Sequence, residues 1–218
     1  MQIEVWSDMV CPWCFLGKRR LEAALADFPG REDVAVVHRA FQLDPEAVTE
    51  GRSTVEVLAA KYGITDVQAV DMMSDVTDTA AGAGLNYRLP DTVSGNTADA
   101  HRTVLWAQDQ GRGGELLEAL FAGYFEQALP VFKATDLAPF VAQVGLDPDA
   151  MAAMLATDTY RDQVEQDQQL AAAMGAGGVP FFVFERKVGV SGAQPVSVFA
   201  AALRQAVEDQ GEAELRTD

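Results

Sequence analysis

The chain of 218 residues holds two cysteines, and they stand together as Cys11-Pro12-Trp13-Cys14. Thiols at this spacing can cycle between dithiol and disulfide. The chemistry needs one sulfur presented as a thiolate and a second placed to resolve the mixed disulfide that the first one forms. Both needs are met if the pair opens a helix. Pro12 suits the first helical position, where its missing N–H costs nothing and its fixed φ fits the turn. Cys11 then lies at the helix N-terminus, facing unpaired N–H groups and the positive end of the dipole. A thiolate is stabilised there, and its pKa is expected below the free value of about 8.5. Cys14 follows one turn along. An i, i+3 pair has Cβ atoms roughly 5–6 Å apart, slightly wide for a disulfide and closed by a modest adjustment. Cys11 is accordingly read as the exposed nucleophile and Cys14 as the buried resolving thiol. A structural zinc site fits less well, since it needs four ligands and His38 and His101 are too far apart in sequence to complete one in the usual way. A structural staple across two residues, or two inert buried thiols, also fits less well than exchange.

The elements that must position the pair can be read around it. Ile3 and Val5 alternate with polar neighbours in Gln2–Ser7, a strand pattern running into the cysteines. Leu16, Leu21, Leu25 and Phe28 recur at helical spacing, and Pro29-Gly30 ends the run. Val34–Phe41 reads as a second strand, which completes a βαβ unit with a parallel pair. Helix-forming sequence then dominates, with candidate helices near 54–62, 66–83, 97–111, 114–128, 135–144, 148–155 and 159–174. Gly63, Gly84, Gly111, Gly145 and Gly175 stand at plausible stops. Pro180–Phe184 and Val188–Ser191, joined by a charged turn, read as a hairpin. An amphipathic helix over 196–209 and a polar, frayed tail over 211–218 close the chain.

Composition sets limits. A net charge of −17 disfavours nucleic acid and anionic membrane as partners. No stretch approaches the roughly 20 apolar residues of a membrane span. The opening residues lack a signal-peptide pattern, since Glu4 and Asp8 interrupt the first apolar run. A cytoplasmic location is therefore expected, and in a reducing compartment the cysteine pair would cycle and not serve as a permanent staple.

The order βαβ, helical block, ββα is that of an α/β thioredoxin fold with a large all-helical domain inserted after the second strand. The thioredoxin-like domain is expected over 1–52 and 176–218 and the insertion over 53–175. The insertion is expected to pack over the Cys11 end and shape a substrate groove.

Five segments carry a closer resemblance: Ser7–Arg20 around the cysteines, Phe41–Pro45, Asn96-Thr97-Ala98-Asp99-Ala100-His101-Arg102, Gly178-Val179-Pro180-Phe181-Phe182, and Ser191–Pro195. On these the chain resembles the DsbA-like thioredoxin-fold family, and within it the FrnE subgroup of cytoplasmic dithiol–disulfide oxidoreductases. The resemblance runs from the first strand to the last helix. It implies that the loop ending in Val179-Pro180 faces the cysteines with a cis peptide bond. It also implies that Val179 offers its backbone N–H and C=O to an extended substrate, and that Pro180 denies a metal a ligand beside the thiols. Asn96 and His101 are implied as groups the helical domain lowers toward Cys11. His101 either assists proton transfer or hydrogen-bonds within its domain. Two readings of Asp8 also stay open, one opposing the thiolate or relaying a proton and the other stabilising the turn. Trp13 either stacks on substrate or packs on the helical domain. His38, in the second strand, reads as a satisfied core histidine.

Strongly oxidising family members that the chain resembles carry histidine in place of Trp13, which contributes no charge. The potential is thus expected below the roughly −120 mV of DsbA, making reduction or isomerisation of substrate disulfides the expected direction. The implied substrates are disulfide-containing proteins or small thiols, with glutathione a candidate co-substrate, no other cofactor and no metal. Pairing of two copies through the helical block is a further expectation. Two other readings are a glutathione-dependent isomerase or transferase, of the 2-hydroxychromene-2-carboxylate isomerase or kappa-class type, and a non-catalytic chaperone or binding module. The scaffold resembles the isomerase and transferase too, but they usually have serine at the first active position.

Overall fold

The computed structural model describes residues 1–49 and 51–214. The chain opens with β1 (Gln2–Ser7), α1 (Pro12–Ala26) and β2 (Ala35–Ala40). A short strand β3 (Arg52–Ser53) leads into α2 (Thr54–Tyr62) and α3 (Asp66–Ala81). After β4 (Val93–Ser94) come α4 (Ala98–Gln108), α5 (Gly113–Gln127), α6 (Ala134–Gln143), α7 (Pro148–Leu155) and α8 (Arg161–Ala173). The chain returns to the sheet with β5 (Phe181–Phe184) and β6 (Val188–Ser191) and continues into α9 (Val196–Glu214). The five glycines expected to stop helices all take the left-handed conformation that L side chains resist, with φ between 65° and 82°. Among the described residues, no helix is long and apolar enough to cross a membrane.

The main sheet has the order β2-β1-β5-β6. β1 runs parallel to β2, with Val5 opposite His38, and antiparallel to β5, with Val5 opposite Phe182. Alternation along β1 sends Ile3 and Val5 to one face. There they join Phe182, Phe184, Leu21 of α1, and Phe199 and Leu203 of α9 in one apolar cluster. The face of β1 that carries the polar neighbours is buried as well. Trp6 packs there with Phe181 and with Ala171 of α8, and Glu4 is 1% exposed. A charge so deep needs partners. Arg39 and Arg186 both bond the Glu4 carboxylate, and Arg39 also bonds Asp167 of α8.

β2 is an edge strand, yet side chains blunt it. Gln108 accepts from the His38 N–H and donates to the His38 carbonyl, and the Asp167 carboxylate accepts from the Ala40 N–H. These contacts occupy groups that would otherwise template another strand.

The inserted helices dock over the start of α1. Phe15 projects from the first turn of α1 and stacks on Phe121 at 5.2 Å and on Tyr87 and Phe125 at 6.2 Å. Gly123 of α5 lets α6 close in, since a Cβ there would meet Phe140 at 2.2 Å. Two features depart from the expected elements. β3 and β4 pair across two residues each, too short for any periodicity to reveal. The last helix runs through Gly211 to Glu214 and not to a frayed tail at that point; residues 215–218 lie outside the described residues.

Candidate functional site

Cys11 is the N-cap of α1, in extended conformation, with Pro12 in the first turn and no acidic side chain there. The turn before it is closed by its own N–H, donated to the Asp8 carbonyl at 3.1 Å, and the Cys14 N–H returns to the Cys11 carbonyl at 2.9 Å. The two cysteines come within 3.3 Å of each other, and both are free thiols. The Val179–Pro180 peptide bond is cis. The Cys11 thiol donates to the Val179 carbonyl at 3.5 Å, so that acceptor is engaged by the protein's own sulfur, while the Val179 N–H has no partner among the described residues. Gly17 lets α1 approach this loop, because a Cβ on it would meet Pro180 Cγ and Phe182 Cζ at 3.0 Å.

One expectation is overturned. Cys11 is not exposed: it is 4% accessible, against 2% for Cys14. Both sulfurs belong to the same apolar cluster as Met9, Phe15, Tyr87 and Phe121, because the inserted helices close over the turn that carries them. Trp13, on the outer side of that turn, is 40% exposed. Burial pushes the Cys14 thiol well above its ordinary range, and a hydrogen bond and charge from Cys11 push it the same way. Cys14 is therefore the sulfur whose thiolate the protein disfavours.

Asp8 is the hub beside the pair. Its backbone carbonyl fixes the Cys11 turn and its Oδ2 accepts from the Leu43 N–H at 2.8 Å. Its Oδ1 faces His101 Nε2 of α4 at 3.4 Å, with both side chains buried. Neither atom makes a hydrogen bond with any described residue, so the two face each other without hydrogen-bond geometry. Asn96 reaches the same place indirectly. Its Oδ1 accepts from Gln42 Nε2 and from the Ala98 N–H at the start of α4, and its Nδ2 donates to the Pro45 carbonyl. None of these bonds goes to the cysteines. Asn96 holds the 42–48 loop, whose Leu43 in turn caps Asp8.

His38 is buried but not satisfied, which corrects its reading as an ordinary core histidine. Its Nδ1 has no partner among the described residues. Burial first, and the charge of Lys18 second, depress its pKa to about 4. Tyr87, unmarked by any motif, also belongs to the site. Its hydroxyl donates to the Pro12 carbonyl at 2.8 Å, and burial together with the nearby cysteines pushes its pKa far up. A lone tyrosine in a helical block carries no sequence signal for that contact.

The arrangement is a dithiol at a helix start, walled by a cis-proline loop and an Asp–His pair. Residues 2–204 match the family model of the DSBA-like thioredoxin domain. The chain is 44% identical to a Streptomyces coelicolor protein described as a probable DsbA oxidoreductase, with a TM-score of 0.90 over 95% of this chain and 90% of that one. It also superposes on 2-hydroxychromene-2-carboxylate isomerase, with a TM-score of 0.73, 13% identity and coverage of 98% and 99%. For the cytosolic disulfide reductase DsbM of Pseudomonas aeruginosa the TM-score is 0.64, with 19% identity and coverage of 95% and 99%. At such low identities the last two are likenesses of fold. A thioredoxin fold that matches over nearly the whole chain, with a free dithiol at the start of α1, places this protein in the DSBA-like thioredoxin domain family.

Proposed function

We propose that the protein is a thiol–disulfide oxidoreductase of the FrnE type, a reductase or isomerase working in the cytoplasm through Cys11 and Cys14. The observation that carries this reading is the pair itself, two free thiols within 3.3 Å at a helix N-terminus. Cys11 attacks the substrate disulfide, since it sits at the helix start where a thiolate faces unpaired N–H groups. Cys14 resolves the mixed disulfide, because its high pKa keeps it protonated until Cys11 is engaged. Burial of Cys11 adds a condition: the inserted helices or the Val179 loop must shift for a protein substrate to reach it. The free Val179 N–H and the adjoining Pro180 give an extended substrate its backbone contact, Trp13 its exposed apolar surface, and Pro12 the turn. Asn96 and His101 act through Asp8.

Substrates in this reading are disulfide-containing proteins or small disulfides. Glutathione is a candidate partner, as DsbM has also been solved with GSH. The isomerase neighbour keeps a glutathione-dependent isomerisation in view, but two cysteines in reach of each other support exchange. Reduction of a protein disulfide by the wild-type protein, with turnover lost in Cys11→Ser, tests the reading. Full turnover in Cys11→Ser would sink it.

A further inference from the structure

A cleft of about 830 Å³ lies between α1, α5 and the β2 edge of the sheet, within the size range of small-molecule sites. Leu21 and Leu25 of α1, Phe121 and Ala122 of α5 and Val36 of β2 give it apolar walls. One end is polar, where His38 meets Gly114 and Glu115 of the first turn of α5. His38 is more than nine-tenths buried. Its two bonds with Gln108 run through its backbone, and its ring makes none with a described residue. A buried polar group of this kind calls for a partner. Its Nε2 is 3.3 Å from where a Cβ on Gly114 would lie, so the missing side chain keeps the approach to that nitrogen open from α5. A pKa of about 4 leaves the ring uncharged at neutral pH.

The helix beside it adds donors. α5 is 15 residues long and begins without a side-chain cap. The N–H groups of Gly114 and Glu115 have no partner among the described residues, the state of first-turn N–H groups that nothing caps. Ring and helix start therefore gather hydrogen-bond donors at one end of an apolar cleft. The surrounding charges decide what these donors receive. Lys18 and Arg19, the two cations that line the cleft, are both paired with Glu22 and Glu118, and Glu115 is paired with Arg112. An anionic ligand would meet three carboxylates and no cation left over. We propose that the cleft binds a small uncharged molecule with an apolar body and a carbonyl oxygen (a ketone, amide or ester), held by His38 and the start of α5. With its proton on Nε2 the imidazole donates to that oxygen, beside the N–H groups of Gly114 and Glu115. Cys11 does not line the cleft, so the inference goes beyond disulfide exchange and does not rest on it.

The test is an amide NMR titration of the full chain with 2-acetylnaphthalene. The comparison ligands are 2-ethylnaphthalene, which lacks the oxygen, and 2-naphthoate, which carries a charge. Saturable binding of the ketone is expected, with the Gly114 and Glu115 amide signals among those that move most. The ketone should bind about two- to tenfold more tightly than the hydrocarbon, the span of one net hydrogen bond, and more tightly than the naphthoate. Val36→Trp and Ala122→Phe each fill the cleft from a position that is not fully buried, and near-UV circular dichroism checks that they fold. Each should weaken the ketone by about tenfold or more. His38→Phe keeps a ring in place and should shrink the advantage of the ketone over the hydrocarbon. The wild-type titration stands whether or not the variants fold. No saturable binding, shifts clustered away from α5, or a hydrocarbon or naphthoate that binds as tightly as the ketone overturns the proposal. So does an affinity unmoved by a folded cleft-filling variant, or a ketone advantage unchanged in His38→Phe.

Discussion

Asp8 and His101 meet where the inserted helices close on the sheet, Oδ1 to Nε2 at 3.4 Å, with neither side chain more than 3% exposed. The contact joins the turn that sets Cys11 to the first turns of α4. Through it a histidine far along the chain reaches the residue whose carbonyl closes the turn of the cysteines.

That contact has a measurable cost when broken. Asp8→Asn retains an acceptor for the Leu43 N–H but changes the group facing His101, and His101→Gln leaves Asp8 Oδ1 without its neighbour. Each is expected to lower stability by roughly 1 kcal/mol, since it takes away the polar group facing a buried atom that makes no hydrogen bond of its own. The double variant should lose less than the sum, since the two side chains share one contact. Urea denaturation reads all three. Additive losses would mean that the pair does not interact.

Gly17 links the fold to the chemistry. Its missing Cβ lets α1 lie against Pro180 and Phe182, each 3.0 Å from where that carbon would be. Gly17→Ala is expected to cost about 1–3 kcal/mol through overpacking and to push the Val179–Pro180 loop off Cys11. Turnover should fall more than a purely global destabilisation explains, when compared at a temperature where both proteins are folded. A loss of stability with turnover unchanged would place the strain elsewhere.

His38 predicts how stability varies with acid. Its folded pKa of about 4 lies below its ordinary value of 6.5, so the unfolded chain binds the extra proton first. Its contribution is complete above about pH 6.5 and is lost as the pH falls toward 4, by an amount on the order of 3 kcal/mol. Lys18 of α1 and the backbone of Gly114 lie near its ring, while the Gln108 amide bonds its backbone. Glu4 and Glu118, whose pKa values lie below the carboxylate norm, lose their contribution only at lower pH. His38→Gln should flatten the decline between pH 6.5 and 4 in urea titrations. A wild-type stability that stays level over that window would contradict the assignment.

Much of this was legible in the chain. The five glycines marked helix ends because a left-handed residue is needed there, and the helical periods between them were long enough to register. The hairpin and the βαβ unit followed from runs bounded by turns. What escaped depended on contacts between distant segments. Cys11 was expected to be exposed because a helix start is usually open, and only the packing of Phe15 against Phe121 and Tyr87 shows that it is covered. The burial of Glu4 depends on α8 and on Arg39 and Arg186, none of them near it in sequence. Asn96 bonds the 42–48 loop and His101 faces Asp8, contacts that no spacing along the chain reveals. β3 and β4 are two residues each, below any pattern.

The cysteine variants separate the roles of the two sulfurs. Cys14→Ser should accumulate a mixed disulfide between Cys11 and substrate, visible by mass spectrometry or on non-reducing gels, because the resolving attack is missing. Cys11→Ser should accumulate much less of it, given the raised pKa of Cys14. Equal trapping by both variants would mean that the sulfurs are interchangeable.

The most direct measurement is the reduction potential of the Cys11–Cys14 pair, by equilibration in glutathione buffers with tryptophan fluorescence as the signal. The account predicts one two-electron transition between roughly −270 and −180 mV, more reducing than the roughly −120 mV of DsbA. Thiols that stay free across the range would contradict the exchange function, and a transition near DsbA's value would contradict its reducing direction.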